Sequence, residues 1–143
     1  NNVAVSFINA AAKFGYKLRL SCADGYTVPG QYVEAARGAG ADITIEGDPL
    51  KACTDTDVVI ADTFVSMGDT DGDKRLADLM PYQATDVLMN AAAKNAIFLH
   101  CLPAHRGEEV AASVIDGPQS AVFDEAENRL HAQKAIIKWC FDA

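Results

Sequence analysis

Residues able to do chemistry are concentrated after the apolar segment 96–99, where His100, Cys101 and Pro103 follow one another closely. A thiol can act as a nucleophile or a metal ligand, but a nucleophilic thiol needs a nearby base. Adjacent residues of a strand point to opposite faces, so His100 is badly placed to serve Cys101, and His105 would have to fold back. A metal site of His100, Cys101 and His105 lacks a recognised zinc spacing and a fourth ligand. The remaining interpretation of Cys101 is a small buried hydrophobic side chain.

A second group of polar residues follows the apolar segment 58–61, where Asp62 and Ser66 precede Gly68. Asp, Ser and Gly are also common in ordinary turns, so a turn without function is the alternative. The carboxyl ends of parallel strands meet at one edge of a sheet, where α/β proteins bind their ligands. We therefore expect Asp62 and Cys101 to lie side by side, with the carboxylate suited to a cationic group such as an amine.

Two further segments contain residues that could bind anions. The acidic residues at 124–127 are favourable at a helix N-terminus, and Arg129 follows them. Arg129 is either the i, i+4 partner of Glu125 or the contact for an anion near the strand ends. Asn1 and Asn2 are good helix-capping residues, and a helix N-terminus at that point could bind a carboxylate.

Strands that alternate with helices position these groups. Helices are expected after Asn2, at residues 31–37, from Asp48, after Thr85 and from Glu125 onward, and residues 66–74 are expected to form a loop. Apolar runs predict strands at residues 17–22, 43–45, 58–61, 96–101 and 121–123. This order predicts an α/β fold, a doubly wound, Rossmann-like parallel sheet with helices on both faces and a long C-terminal helix. Such a unit usually opens on a strand, but this chain opens on a helix. We therefore expect the sheet to lack its first strand.

The first and the last helix both have apolar faces that require packing partners. In the first helix, Val3, Phe7, Ala10 and Phe14 share one stripe. The last helix is apolar on two sides, so we expect it to pack both on the sheet of this domain and on another domain or chain. One side carries Leu130, Ile137 and Phe141, and the other carries Ala132, Ile136, Trp139 and Cys140.

The composition indicates one globular domain over residues 1–143. The chain has 143 residues, half of them apolar, and no repeat or linker divides it. Its formal charge of −8 disfavours nucleic acids and anionic membranes as partners. No apolar run approaches the roughly 18 residues of a membrane span. The cysteines are far apart and form no CxxC pair, which is typical of thiols in a reducing compartment, so a cytoplasmic location is expected.

Together, these motifs resemble those of the ornithine carbamoyltransferase family. The resemblance rests on His-Cys-Leu-Pro at 100–103 with Ala-His-Arg-Gly-Glu-Glu-Val at 104–110, on Asp-Thr-Phe-Val-Ser-Met-Gly at 62–68, and on Asp-Glu-Ala-Glu-Asn-Arg-Leu-His-Ala-Gln-Lys at 124–134. Asn-Asn-Val-Ala at 1–4 is similar to the end of the family's Gly-Asp-Gly-Asn-Asn turn. The likeness spans the whole chain but only the family's second half, its ornithine-binding domain.

The resemblance implies a reaction in which the δ-amine of L-ornithine attacks the carbamoyl carbon of carbamoyl phosphate, giving citrulline and phosphate. It implies no cofactor and no metal, and a parent protein that is a homotrimer or a multiple of a trimer. An amine with a pKa near 10.4 is protonated at neutral pH, so freeing the nucleophile costs about 4 kcal/mol. Asp62 and Cys101 would be the catalytic residues, and the sequence leaves open which of them accepts the amine proton. The implied ornithine contacts are Asn2, Asp62, Ser66 and Met67, and the implied carbamoyl phosphate contacts are Cys101, Leu102 and Arg129.

Two departures from the family pattern modify this prediction. The family usually has Thr and Trp where this chain has Ala61 and Phe64, which changes packing but keeps Asp62. The family's Ser-Thr-Arg-Thr phosphate cradle and its His-Pro-x-Gln segment do not occur in these residues, so we expect this chain alone to be inactive. The alternatives are a non-catalytic amino-acid-binding module and a relative that acts on putrescine. The Ser66-Met67-Gly68 loop disfavours putrescine, because in the family this loop recognises the amino-acid end.

Overall fold

A computed structural model of the chain describes residues 2–66, 68 and 70–142, which form two structural units. One unit ends at Thr54 and the other begins at Asp55. Each unit contains one parallel pair of strands. Asn1 and Met67, which the sequence analysis singled out, lie outside the described residues.

The first unit packs helices against a short parallel sheet. Its two strands pair with Leu18 opposite Ile43, and its core is formed by apolar side chains of both helices and the second strand. Asp48 accepts a hydrogen bond from the backbone N–H of Leu50 at 3.0 Å, which caps the last helix of the unit as the Asp-Pro pair predicts. The elements are α1 (Asn2–Phe14), β1 (Leu18–Leu20), α2 (Gly30–Gly38), β2 (Ile43–Ile45) and α3 (Pro49–Cys53).

The second unit holds both polar strand ends. Its strands pair in parallel with Ala61 opposite His100, so the residues that follow each strand emerge at the same edge. Thr85 caps the helix after it, as predicted, by accepting a hydrogen bond from the N–H of Leu88 at 3.5 Å. The elements are β3 (Val58–Ala61), α4 (Gly72–Leu79), a 3₁₀ turn (Met80–Tyr82), α5 (Asp86–Ala91), β4 (Ile97–His100), α6 (Ala112–Ile115) and α7 (Val122–Asp142).

The predicted fold class is confirmed, since helices alternate with parallel strands and the chain ends in a long helix. The expectation that a first strand is missing from the sheet stays a prediction. The assignment of residues 1–143 to a single domain also stays a prediction.

The strand predicted at residues 121–123 is wrong, because α7 already begins at Val122. Only one bridge forms here, in which Phe98 donates to the carbonyl of Gln119 at 2.8 Å and accepts from the N–H of Ala121 at 2.9 Å. The N–H of Glu125 then donates to the carbonyl of Ala121, which starts the helix. The acidic first turn favours this early start over a longer strand.

Two helix predictions also need correction. In α1 the fully buried residues are Ile8 and Ala11, whereas Phe14 is 82% exposed. Most positions of α1 are apolar, so periodicity did not identify the face that packs on α2 and β1.

The loop predicted to reach Lys74 ends earlier, because α4 begins at Gly72. An ion pair of 2.8 Å between Asp71 and Arg75 stabilises the first turn of α4.

The long helix α7 contacts its own unit only at its start. Val122 is buried against β4, whereas every residue described from Ala126 to Asp142 is exposed. The expectation that the body of this helix packs on the domain's sheet is therefore wrong for the described chain. A second partner for its apolar residues stays a prediction.

Phe98 provides a test of the core that supports the site. Phe98→Ala should lower the free energy of unfolding by about 3 to 5 kcal/mol, because Phe98 is completely buried in β4. The same change at Phe123, which is 71% exposed, should cost less than about 0.5 kcal/mol. Urea unfolding followed by circular dichroism measures both changes. Equal effects at the two positions would contradict this description of the core.

Candidate functional site

Asp62 and Cys101 meet at the carboxyl edge of the β3–β4 pair. The thiol Sγ of Cys101 donates to Oδ1 of Asp62 at 3.1 Å, and the N–H of Thr63 donates to the same oxygen at 2.8 Å. The predicted adjacency of the two strand ends is confirmed. Because Cys101 is exposed, its interpretation as a buried hydrophobic side chain is wrong.

The Cys101 thiol is held in its protonated form. Partial burial, the hydrogen bond to Asp62 and the negative charge of that carboxylate raise the pKa of Cys101 to about 12. Glu125 adds a smaller effect in the same direction. A thiol with such a pKa is a poor nucleophile at neutral pH, so the pair acts as a donor and an acceptor rather than as a thiolate with its base.

A buried hydrogen-bond network holds the loop that follows Cys101. The His100 ring is inside the protein, where Nε2 donates to Oε1 of Glu109 at 3.2 Å and Nδ1 accepts from the N–H of Leu102 at 2.9 Å. The N–H of His105 donates to the same Glu109 oxygen at 2.6 Å. One buried carboxylate thus anchors both the histidine before Cys101 and the backbone four residues after it.

The backbone on both sides of Cys101 is fixed by these contacts. The N–H of His100 donates to Oε2 of Glu125 at 3.0 Å, which ties the end of β4 to the first turn of α7. Leu102 has a φ of +52°, a left-handed conformation that costs a non-glycine residue about 1 kcal/mol or more. The hydrogen bond from its N–H to the His100 ring supports this conformation and keeps the 101–102 backbone at the strand edge.

The other residues predicted for the site lie in three further segments of the chain. Ser66 is exposed in the loop after β3, and Arg129 is exposed on α7. Asn2 is exposed at the start of α1, in the first unit. Met67 lies outside the described residues.

The structure also tests the metal site considered at this loop. Both ring nitrogens of His100 are engaged, so a site of His100, Cys101 and His105 is disfavoured. Sequence reasoning missed Glu109 as the organising residue. The only signal was a glutamate beside Val110 and Ala111, which is an apolar setting for a charged side chain.

Comparison with known proteins identifies the family. Residues 1–140 match the model described as "Aspartate/ornithine carbamoyltransferase, Asp/Orn binding domain". The chain belongs to this family. It corresponds to the Asp/Orn-binding domain, and it spans less than half the length of the curated relatives it matches.

Individual relatives of the Asp/Orn-binding domain agree with this assignment. The chain is 54% identical to the ornithine carbamoyltransferase of Caulobacter vibrioides, over 100% of this chain and 46% of that protein. The structure of ornithine carbamoyltransferase from Pyrococcus furiosus matches with a TM-score of 0.86 and 39% identity, over 94% of this chain and 44% of that one. Ornithine transcarbamoylase from Giardia lamblia matches with a TM-score of 0.86 and 36% identity, over 96% and 46% of the two chains.

In the part of the Asp/Orn-binding domain that the structure describes, no helix combines the length and the apolar character needed to cross a bilayer.

The Asp62–Cys101 contact makes the reactivity of this thiol dependent on the carboxylate. Asp62→Asn should lower the pKa of Cys101 by about one pH unit or more, because it removes an adjacent negative charge. Alkylation of Cys101 by iodoacetamide, followed by peptide mass spectrometry across pH, should then begin at lower pH. Asp78→Asn, which alters a partly exposed carboxylate paired with Lys74, is the matched control. An unchanged alkylation profile in Asp62→Asn would contradict the described geometry.

Proposed function

We propose that this chain is the ornithine-binding half of an enzyme that transfers the carbamoyl group of carbamoyl phosphate to the δ-amine of L-ornithine. The products are citrulline and phosphate. The observation that carries the proposal is the Cys101–Asp62 contact at the ends of two adjacent parallel strands. A carboxylate with a thiol beside it suits a substrate amine that replaces the thiol as the donor to the carboxylate, in a chain similar to ornithine carbamoyltransferases.

The chemistry of the pair supports assigning the amine to Asp62. An ammonium group that enters the site takes over the carboxylate oxygen to which the thiol now donates, and its positive charge lowers the pKa of Cys101. Since the thiol already carries its proton, Asp62 is the better proton acceptor of the two. Asp62 takes one proton from the ammonium, which frees the lone pair of the nitrogen. The nitrogen then bonds to the carbamoyl carbon, the bond from that carbon to the phosphate oxygen breaks, and the second proton leaves the nitrogen for the departing phosphate.

The remaining contacts of the two substrates are proposed from the family resemblance. Asn2, Ser66 and Met67 would bind the amino-acid end of ornithine. Cys101 with the backbone of Leu102 would face the carbamoyl group. The fixed conformation of the 101–102 backbone supports this role, because a held donor or acceptor costs no reorganisation during reaction. Arg129 would contribute a positive charge for the phosphate of carbamoyl phosphate.

The same proposal extends to the whole protein. It would act in the cytoplasm as a homotrimer or a multiple of a trimer, with its carbamoyl phosphate site built mainly by residues outside this chain. The −8 charge of the chain supports this division, because a dianionic phosphate is repelled by the acidic residues and needs a basic cradle elsewhere.

The proposed division of the two substrate sites between this chain and residues outside it predicts the activity of two polypeptides. The 143-residue chain supplied with ornithine and carbamoyl phosphate should form no citrulline above the uncatalysed rate. A chimera in which it replaces the corresponding segment of the Caulobacter vibrioides enzyme should form citrulline. A colorimetric citrulline assay measures both. Citrulline formation by the chain alone would refute the division, and a folded but inactive chimera would refute the function.

Variants of the chimera test the role of Asp62 in the Cys101–Asp62 contact. Asp62→Asn should lower kcat/KM by at least about 100-fold if the carboxylate accepts the amine proton. Asp78→Asn, on the exposed surface of α4, should stay close to the parent chimera. Near-parental activity of Asp62→Asn would remove the central support for the proposal.

The choice of amine is a separate prediction. The chimera should favour ornithine over putrescine by at least about tenfold in kcat/KM, because putrescine lacks a carboxylate for charge-assisted hydrogen bonds. Steady-state rates with each amine measure the ratio. A higher kcat/KM for putrescine would replace ornithine with a diamine as the substrate. Saturable ornithine binding without carbamoyl transfer would instead favour a non-catalytic amino-acid-binding module.

A further inference from the structure

The loop between β4 and α6 contains a second group of ligating side chains, separate from Asp62 and Cys101. Nδ1 of His105 lies 3.7 Å from Oε2 of Glu109. One ligating atom of each of His105, Glu108 and Glu109 falls within 4.8 Å of the others. We propose that these three side chains bind a divalent transition-metal ion of the zinc type.

The main support is the state of the Glu109 carboxylate. Glu109 is completely buried, and its Oε1 accepts hydrogen bonds from the His100 ring and from the N–H of His105. Oε2 is also buried, and no residue that the structure describes forms a hydrogen bond with it. A buried carboxylate oxygen without a donor is costly, and a cation beside it compensates the charge directly.

The geometry suits a zinc-type ion with little adjustment. Ligands bound tetrahedrally at about 2.0 to 2.1 Å from zinc lie about 3.4 Å from each other. The 3.7 Å between His105 Nδ1 and Glu109 Oε2 is close to this spacing. Glu108 is half-buried, so its carboxylate can move the short distance required of a third ligand.

The ligand types favour zinc over magnesium or calcium. Imidazole nitrogen suits zinc, copper and nickel, whereas magnesium and calcium prefer oxygen ligands alone. The hydrogen bonds to Glu109 Oε1 hold this carboxylate in place, as outer contacts of metal ligands commonly do. His105 is half exposed, which provides a path for the ion.

The proposed site differs from both earlier expectations for this chain. The sequence predicted no metal, and the set it considered as an alternative used His100 and Cys101. His100 instead orients Glu109 and accepts from the N–H of Leu102, and Cys101 donates to Asp62. An ion at this position would fix the same loop that begins with Cys101 and Leu102.

Zinc binding to the chain is measured by competition with a chromogenic chelator, in the absence of substrates. We expect one saturable site, and His105→Ala and Glu108→Gln should each weaken it by at least about tenfold. These variants leave the buried carboxylate in place, so they should fold like the parent by circular dichroism. An absence of saturable binding, or an affinity that neither change alters, would overturn the proposal.

Two control variants separate this site from other ligands for zinc. His131→Ala removes an exposed histidine that faces Glu127 at 3.3 Å on α7, and it should leave the affinity unchanged. Cys101→Ser removes the exposed thiol and should also leave it unchanged. Cobalt substitution should give a spectrum without the sulfur charge-transfer band. A loss of binding in Cys101→Ser, or such a band, would place the ion on the thiol and refute the site. Because no substrate is present, none of these outcomes bears on carbamoyl transfer.

Discussion

The structure of the site depends on one buried contact, the hydrogen bond between His100 and Glu109. Both side chains are excluded from solvent, and Glu109 accepts a second hydrogen bond from the backbone of His105. Burying a carboxylate is costly unless donors surround it, so the loop conformation that brings donors to Glu109 is strongly favoured. The closed loop in turn holds Leu102 through the other nitrogen of His100.

This constraint explains how an exposed thiol can have a defined position. Cys101 lies between two anchored neighbours, since the N–H of His100 is bound by Glu125 and the N–H of Leu102 by the His100 ring. The thiol is therefore directed toward Asp62 by its backbone rather than by packing of its own side chain. Its raised pKa follows from the same placement, because the sulfur is partly buried next to a carboxylate.

Local signals in the sequence were sufficient for the elements that carry the site. The apolar runs of β3 and β4 and the capping residue Thr85 were predicted from residue types alone, since buried strands and helix caps depend on few neighbours. The prediction of a strand at 121–123 failed because the N–H of Ala121 bonds to β4, whereas its carbonyl already accepts the first hydrogen bond of α7. The prediction of the buried face of α1 failed because nine of the 13 residues of that helix are apolar, so several faces look alike.

The sequence by itself determined the family, the α/β class and the pairing of Asp62 with Cys101, because short motifs at strand ends and the alternation of strands and helices are local properties. Only the tertiary structure decided that Glu109 is the buried anchor, that His100 has no free ring nitrogen and that the thiol keeps its proton. Each of these depends on which distant groups come within hydrogen-bond distance, and on how much water remains around them. Neither the approach of distant groups nor the remaining water can be read from residue types or from their spacing along the chain.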